Sequence, residues 1–434
     1  MNAMISTLVA EQARVDCVVV GGGPGGAVLA LLLARQGVRV ILLEAHQDFQ
    51  REFRGDTVHP STLEMLDDIG LIDRLLELPH ARFAEFPTHY PDGSISAPAP
   101  PRIRARHPHT LDVPQARFIQ LLVSEAQRYP TFEVRMGARV ESLIDQGGAI
   151  TGVRYRANDG WHEVRAKLVV GADGRFSKVR QLAGFELVGE PEPLDVLWTR
   201  LPRLGSDPER AHGVYLADDG AAAVQMSGDT WQVGFIFPRG EYQTLRGAGL
   251  EALKAAIVRR VPFVADRIDH LQSWQQTALL QIEVGRVRRW YTGGLLLIGD
   301  AAHVMSPVGG VGINYAIQDA IVASNLLGRR LRDGEVRTRD LEAVQRRREL
   351  PTRIMQFFQR KMRPDVGKPG QPAPKAPLGA KLIRLPLIKQ LPSRLIVFGG
   401  FLPERVRPLE ARPAPQVRSG SRRVSPSSSA RAAT

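Results

Sequence analysis

Residues 21–26, GGGPGG, constrain the fold of this chain more than any other stretch of its 434 residues. A β-branched apolar run at 15–20 precedes them and an apolar helical pattern follows them. A second apolar run at 38–43 then ends at Glu44. Continuous apolar runs are typical of strands that are buried on both faces of a parallel sheet. The order therefore predicts strand, tight turn, helix and strand, the βαβ unit of an α/β fold.

The glycines of this turn have the G-x-G-x-x-G spacing of dinucleotide-binding sites. Gly21 permits the tight turn, Gly23 lets a pyrophosphate approach the backbone, and Gly26 lets the helix pack on the strand. Glu44 lies 18 residues beyond Gly26, where an acidic side chain binds an adenosine ribose hydroxyl. The motif predicts a dinucleotide site and leaves open whether the ligand is FAD or NAD.

A second turn, GADGRFSKVR at 171–180, follows another buried strand pattern. Asp173 and Gly174 stand where the strand ends and a short helix begins. An Asp at this place often caps the helix by accepting backbone N–H groups. The residues alone do not decide between a helix cap and a binding site.

A third turn, GDAAHVMSPVGGVGINYAIQDA at 299–320, again follows an apolar run. Asp300 can bind a sugar or ribityl hydroxyl at the strand end. Gly310 and Gly312 lead into a helix whose first N–H groups can bind phosphate or a flavin carbonyl. The alternative is a glycine-rich loop that only connects strand and helix.

The net charge of +13 suggests a nucleic-acid partner, but the distribution of charge argues against one. Residues 351–434 hold 17 Lys and Arg against 3 Asp and Glu, so the first 350 residues sum to −1. We therefore expect no nucleic-acid binding by the body of the protein. The basic region at 351–410 is predicted to be helical or irregular, and 411–434 to be disordered. The basic region is compatible with a solvated surface, weak membrane-surface contact or a partner site.

The lone cysteine, Cys17, excludes an internal disulfide and a cysteine metal cluster, and its apolar surroundings predict a buried thiol. The histidine spacing matches no zinc motif, so we expect no metal. No targeting segment or run of about 20 apolar residues is evident, and the expected location is the cytoplasm.

Between residues 186 and 285, period-two apolar runs alternate with turn signals and predict an antiparallel sheet. The nucleotide-type pattern resumes afterwards. We therefore predict a Rossmann-type domain from 14–85, 110–185 and 286–350. A sheet domain that binds substrate, from 86–109 and 186–285, interrupts it.

The three turns, in this order and spacing, resemble the class A flavoprotein monooxygenases, the group of para-hydroxybenzoate hydroxylase, over about residues 14–350. The resemblance implies that the ligand is FAD and that Asp173 and Gly174 serve FAD and NAD(P)H together. It also implies FAD contacts by Arg54, by Gln115, and by the backbone at Val140. The cofactor-binding residues implied are Gly21, Gly23, Pro24, Gly25, Gly26, Glu44, Arg54, Gln115, Val140, Asp173, Gly174, Asp300, Pro307, Gly310, Gly312 and Asn314.

The same resemblance implies a reaction in which NAD(P)H reduces FAD and O2 forms a flavin C4a-hydroperoxide. One oxygen atom is then transferred to an aromatic, quinone-like or other lipophilic small molecule. No side chain is required for the transfer itself. Residues that could activate or contact a substrate are His59, Asp56, Tyr215, Gln225 and Trp231, while His303 is expected to pack under the Asp300 loop.

Three other functions are compatible with parts of this pattern. A FAD-dependent reductase of the geranylgeranyl reductase type shares the flavin motifs and would hydrogenate its substrate. A flavin halogenase would need a Lys near the first glycine turn and a W-x-W-x-x-I-P motif, neither of which is present. A binding module without enzymatic activity would hold no flavin.

Overall fold

The computed structural model describes residues 9–50, 56–83, 85–96, 105–208, 211–362, 396–399 and 403–408. Arg54, residues 363–395 of the predicted basic region and the predicted disordered tail lie outside these ranges. The strands in chain order are β1 (Val9–Val20), β2 (Val40–Leu43), β3 (Thr57–Val58), β4 (Ala81–Phe83), β5 (Thr88–His89), β6 (Ile95–Ser96), β7 (Thr110–Asp112), β8 (Phe132–Arg135), β9 (Arg139–Gln146), β10 (Ala149–Ala157), β11 (Gly160–Gly171), β12 (Leu187–Pro202), β13 (Gly213–Ala217), β14 (Gly220–Ser227), β15 (Thr230–Pro238), β16 (Thr277–Val287), β17 (Tyr291–Thr292), β18 (Leu295–Leu297) and β19 (His303–Val304). The helices are α1 (Pro24–Arg35), α2 (Pro60–Asp68), α3 (Ile72–Leu76), α4 (Gln115–Ala126), α5 (Lys178–Leu182), α6 (Tyr242–Gly247), α7 (Leu250–Arg260), α8 (Gly312–Asp333) and α9 (Thr338–Met362).

The first sheet has the order β17-β18-β11-β1-β2-β8, and the four pairings from β18 to β8 are parallel. The strand residues from Cys17 to Val19 are fully buried, as a parallel strand covered on both faces requires. Burial raises the pKa of the Cys17 thiol. Strand β8 forms one edge of this sheet. This strand pairs in parallel with β2, while β9, β10 and β11 form the antiparallel part.

The second sheet has the order β19-β16-β12-β15-β14-β13-β5-β6 and two unlike faces. Helix α7 and the 3-10 turn Pro262–His270 cover the outer face. Tyr215 and Trp231 pack there, and their polar atoms donate to the carbonyl oxygen of Ala211 and to Asp207. Strand alternation therefore places these two candidates for substrate contact in the packed core of the outer face, away from the inner face.

A small third sheet, β3-β7-β4, is formed by residues between β2 and β8 of the first sheet, and helices α8 and α9 follow the last strands. Helix α9 crosses the predicted boundary between residues 350 and 351, because it continues through Pro351 to Met362. Proline removes one backbone hydrogen bond from a helix. The buried face nevertheless continues from Arg348 to Thr352 and Met355, so packing on the rest of the protein maintains the helix.

A buried ionic cluster joins these helices to the first sheet. Asp319 in α8 accepts from Arg348 Nε at 2.8 Å, from His303 Nε2 at 2.6 Å and from the Gly299 amide at 3.0 Å. Arg348 Nη2 also donates to the carbonyl oxygen of Gly399 at 3.0 Å. Burial opposes ionisation of Asp319, but its interactions with His303 and with the Arg348 guanidinium outweigh that effect and lower the pKa of its carboxyl.

Within the described residues, no helix is both long and apolar enough to cross a membrane. The same part of the chain contains no cluster of three or more His, Cys, Asp or Glu side chains suited to a metal ion.

Replacing Arg348 by Ala should lower the free energy of unfolding by about 3–5 kcal/mol, because it leaves the Asp319 carboxylate buried without its guanidinium partner. Urea denaturation followed by circular dichroism measures this change. The neighbouring Arg347 is the control, since its own side chain is 62% exposed in the pair with Glu404 and its replacement by Ala should change stability by less than about 1 kcal/mol. Equal effects of the two substitutions would contradict the importance of the buried cluster.

Candidate functional site

The turn after β1 approaches two other elements closely. Gly21 has a φ of +104°, and a Cβ there would lie 2.5 Å from the carbonyl oxygen of Ala172. A Cβ on Gly26 would lie 2.0 Å from the carbonyl oxygen of Gly21. A Cβ on Gly23 would instead meet no atom within 4 Å. The glycines thus hold β11 and α1 against the turn and leave open space in front of Gly23, where the sequence predicts the pyrophosphate.

Glu44 directly follows β2 and is buried below this turn. Its Oε2 accepts from the Gly22 amide at 2.8 Å, and its Oε1 accepts from the His46 amide at 2.9 Å. Pro24 is the first residue of α1, and a Cβ on Gly25 would lie 3.0 Å from the Ala316 side chain in α8. The first and third predicted turns therefore meet where α1 and α8 begin.

The Asp173 turn lies against the first glycine turn, since a Cβ on Gly21 would also be 2.7 Å from Asp173 Cα. The Asp173 carboxylate accepts from the Ser177 hydroxyl and from the Val179 amide at 2.9 Å. Burial raises the pKa of this carboxyl, and the two hydrogen bonds act in the opposite direction. Asp173 thus accepts from the first turn of α5, whose N-cap residue is Ser177, while Gly174 has a φ of +82° and open space at its Cβ position.

The Asp300 turn stands at the end of β18 and beside the start of α8. Asp300 lies in the 3-10 turn Gly299–Ala301, and its Oδ1 would be 3.9 Å from a Cβ on Gly312, the first residue of α8. The first N–H groups of a helix have no partner inside the helix. A carboxylate and free amide hydrogens therefore occur side by side, a combination that suits hydroxyl and phosphate groups.

The glycine turn at 307–310 connects this site to β3. Pro307 is exposed, and a Cβ on Gly310 would lie 3.3 Å from the Thr57 side chain. Asn314 is fully buried: its Oδ1 accepts from Ser61 and Thr62, and its Nδ2 donates to the carbonyl oxygen of Ile396 at 3.2 Å. The side-chain amide of Asn314 thus joins α8 to α2. The backbone N–H of Asn314 is the group that could reach a cofactor.

Gln115 is the first residue of α4, and its backbone N–H donates to Asp56 Oδ1 at 3.0 Å. Val140 lies at the start of β9, two residues beyond Ala138, whose amide donates to the Glu44 carbonyl oxygen at 2.8 Å. Val140 is therefore near the carboxyl end of β2, on the side where an adenine is predicted. Arg54 cannot be placed, because it lies outside the described residues.

Comparison with known proteins agrees with this geometry. The family model for an FAD binding domain matches residues 14–358. The chain belongs to the class A flavoprotein monooxygenases. A 6-methylpretetramide 4-monooxygenase from Streptomyces rimosus is 35% identical over 370 residues, which are 83% of this chain and 87% of that protein. The solved structure of PqsL, a probable FAD-dependent monooxygenase from Pseudomonas aeruginosa, aligns with a TM-score of 0.68 at 26% identity, covering 80% of this chain and 96% of PqsL.

These matches confirm the predicted family, the FAD cofactor with NAD(P)H as co-substrate, and the activity of an FAD-dependent aromatic monooxygenase. The reductase alternative has weaker support. A digeranylgeranylglycerophospholipid reductase from Methanococcoides burtonii is 26% identical over 329 residues, covering 74% of this chain and 76% of that protein. Several further monooxygenases are longer than this chain, which covers 60–62% of their length.

The residues of the monooxygenase site fit a flavin dinucleotide. A methyl group on Gly23 would enter the open space before α1. A methyl group on Gly174, in the Asp173 turn, would also meet no protein atom within 4 Å. Asp300 and the start of α8 provide an acceptor and amide donors next to each other. When bound, FAD supplies electron transfer and oxygen activation, while the protein binds it, orients it and excludes water.

Sequence reasoning missed Arg180, although it lies within the GADGRFSKVR motif. Arg180 is buried and donates through Nη1 to the carbonyl oxygen of Ala301 at 3.1 Å and through Nη2 to that of Arg175 at 2.6 Å. Burial lowers the pKa of its guanidinium. It links the Asp173 turn to the Asp300 turn. The sequence signal that could have identified Arg180 was an Arg on the buried side of a short helix.

His59 was predicted among the residues that could activate or contact a substrate, and the structure shows it in a supporting arrangement. It occupies the residue before α2 without a side-chain cap, and its Nε2 donates to the carbonyl oxygen of Gly310 at 3.1 Å. Burial lowers the pKa of His59 to about 4. A neutral ring therefore supports the glycine turn at neutral pH.

A second missed residue, Asp112 in β7, is 3% exposed and accepts from Thr57 Oγ1 at 3.0 Å. Burial raises the pKa of its carboxyl to about 7, against the hydrogen bond from Thr57. Since Thr57 contacts the glycine turn at 307–310, Asp112 lies in the layer directly behind that turn. Nothing in the short TLD stretch distinguishes it from a surface acid.

The space around Gly23 leads to a prediction with a matched pair of variants. Gly23→Ala should leave the thermal midpoint of the flavin-free protein unchanged and weaken FAD binding roughly tenfold or more, because the methyl group occupies the pyrophosphate space. Gly26→Ala should instead lower stability by about 1–3 kcal/mol, because its methyl group collides with Gly21. Flavin titration and differential scanning calorimetry separate the two effects. Normal FAD affinity in Gly23→Ala would contradict the assignment.

The raised pKa of Asp112 predicts a pH-dependent difference in stability. Between pH 4 and 7 the unfolded chain releases this proton before the folded protein does, so this carboxyl lowers wild-type stability as pH rises. Asp112→Asn should therefore gain stability relative to wild type between pH 4 and 8, by at most about 4 kcal/mol. Urea denaturation at both pH values tests this.

The control for this experiment is Asp92→Asn, in an exposed turn where the Ser94 hydroxyl lowers the carboxyl pKa. This substitution should give no gain at high pH. An equal gain in both variants, or none in Asp112→Asn, would contradict the buried, proton-holding state of Asp112.

Proposed function

We propose that this monooxygenase hydroxylates an aromatic small molecule that binds between FAD and the inner face of the second sheet. The observation that carries the proposal is the orientation of this face: Ser227 and Gln232 point from it to Asp56, which precedes β3 beside the glycine turn. The face thus lies towards the flavin site. Its buried apolar residues are Val196, Trp198, Ala221, Ile236, Ile282 and Val284.

The composition of the inner face suits an aromatic ligand with few polar groups. Trp198 lies across Gly234, where a Cβ would be 2.8 Å from the indole ring. Partly buried Val214 and Leu216 extend the apolar area, and Gln225 adds a hydrogen-bonding group. The named substrates of relatives, 6-methylpretetramide and para-nitrophenol, support an aromatic class for this chain.

For the cofactor, we propose that the first glycine turn binds the FAD pyrophosphate, that Glu44 binds the adenosine ribose, and that Asp300 binds the ribityl chain. Asp173 and Gly174 would serve FAD and NAD(P)H together. The convergence of the three turns supports these roles. Residues 14–85, 110–185 and 286 onwards would form the FAD domain, now extended through α9, and 86–109 with 186–285 the substrate domain.

The overall reaction consumes NAD(P)H, one proton and O2, and gives NAD(P)+, water and the substrate with one added oxygen atom. The apolar inner face would exclude water from the reacting atoms. We also propose a cytoplasmic location, which the buried and unpaired Cys17 supports. The weak membrane contact predicted for the basic region depends largely on residues 363–395 and stays a prediction that binding to anionic liposomes would test.

The test is an absorption spectrum of the purified protein, followed by NADH and NADPH oxidation in air with phenols, quinones and polyenes. We expect flavin bands, oxidation stimulated by an aromatic compound, and a product heavier by one oxygen atom in mass spectrometry. Bound flavin that is reduced without an oxygenated product would favour the reductase function. A protein that cannot be reconstituted with FAD would contradict both.

Two neighbouring residues on opposite faces of β14 test the proposed location of the substrate. Gln225→Leu on the inner face should lower kcat/KM roughly tenfold, because it removes a hydrogen-bonding group from the pocket, with FAD binding unchanged. Met226→Leu, whose side chain packs on the outer face, should leave kcat/KM unchanged. The opposite pattern would place the substrate elsewhere.

A further inference from the structure

Asp56 is a buried carboxylate that connects three parts of the protein. It is 6% exposed and immediately precedes β3. Its Oδ1 accepts from the backbone N–H of Gln115, the first residue of α4, at 3.0 Å. Its Oδ2 accepts from the Ser227 hydroxyl at 2.7 Å and from Gln232 Nε2 at 3.1 Å, both on the inner face of the second sheet. The two oxygens of one carboxylate therefore bond to different domains of the proposed architecture.

The residues after Asp56 continue this connection to the glycine turn. Thr57 lies against Gly310, and His59 donates to the carbonyl oxygen of the same glycine. The four residues 56–59 thus contact the substrate sheet at one end and the proposed flavin edge at the other. A change in the position of Asp56 would alter the distance between these two surfaces.

We propose that Asp56 is a positioning residue that fixes the inner face of the second sheet against the flavin site. It sets the separation between the substrate and the flavin, and it takes no proton from the substrate. This inference rests on the proposed function. A misplacement of about 1 Å between reacting groups can reduce a rate roughly a hundredfold, so a link of this kind affects the efficiency of oxygen transfer more than FAD binding.

The decisive experiment compares Asp56→Ala with Asp56→Asn in the FAD-loaded protein. The Ala variant loses all three hydrogen bonds. The Asn variant can keep them, because its carbonyl oxygen accepts from Gln115 and its amide donates to Ser227 and to a rotated Gln232 side chain. The measured quantity is the fraction of NAD(P)H oxidation that yields oxygenated product rather than hydrogen peroxide.

We expect the coupled fraction to fall roughly tenfold in Asp56→Ala, with FAD still bound, and to stay within about twofold of wild type in Asp56→Asn. Equal losses in both variants would show that the negative charge acts as a base and would overturn the positioning role. An unchanged coupled fraction in Asp56→Ala would also overturn it.

Hydrogen–deuterium exchange provides a readout that needs no turnover. Asp56→Ala should speed exchange at the hairpin around residues 227–230 and at the start of α4, while Asp56→Asn should not. If wild type forms no product with any compound, the proposed function fails, but the exchange pattern still supports or contradicts the link itself. Unchanged exchange in Asp56→Ala would overturn it.

Two further variants control for folding. If Asp56→Ala does not fold, Ser227→Ala removes one donor only and should reduce coupling about threefold or more. Asp195→Asn is the matched control within the second sheet. Asp195 is 1% exposed and accepts from the Ile282 amide, with both residues in the same sheet. Its substitution should leave coupling unchanged, and a loss equal to that of Ser227→Ala would contradict a specific role for Asp56.

Discussion

The buried carboxylate of Asp319 is the interaction on which the arrangement of the flavin site depends. It holds the amide of Gly299, immediately before Asp300, and it binds the guanidinium of Arg348 from another helix. An isolated charge at this depth would be strongly destabilising, so the helices cannot move apart without exposing or neutralising it. The position of the Asp300 turn is therefore set by the packing of α8 and α9 as well as by its own strand.

The seam between the two large sheets combines polar contacts at its edge with apolar surface at its centre. Asp56 and Asp112 both stand at this seam, and burial raises the pKa of each. Hydrogen bonds from Ser227 and Thr57 offset part of the desolvation. Ligand sites commonly lie between packed layers for this reason: apolar walls exclude water, while a few fixed polar groups determine orientation.

The sequence was most informative where structure depends on neighbours along the chain. The first turn could be predicted because the positive φ of Gly21 and the close approach of Gly26 to Gly21 are requirements set within one βαβ unit. The pair of Asp319 and Arg348 could not, because it depends on how two helices pack. Alternation along β15 indicates that Trp231 and Gln232 face opposite ways, but not which side faces the flavin. Helix α9 continues through Pro351 because tertiary packing outweighs the local signal for helix termination that the proline provides.

The strand order also has consequences for how the chain acquires its structure during synthesis. The main strands of the second sheet, β12 to β16, are contiguous in sequence, whereas β11 must wait for β18 to be made before it gains its second parallel neighbour. Gly399, an acceptor for Arg348, is made later still. Contacts so distant in sequence form slowly, and a nascent chain exposes unpaired edges until they do. Of the two large sheets, the first is begun earlier than the second, yet its last strand, β18, is made only after the main strands of the second.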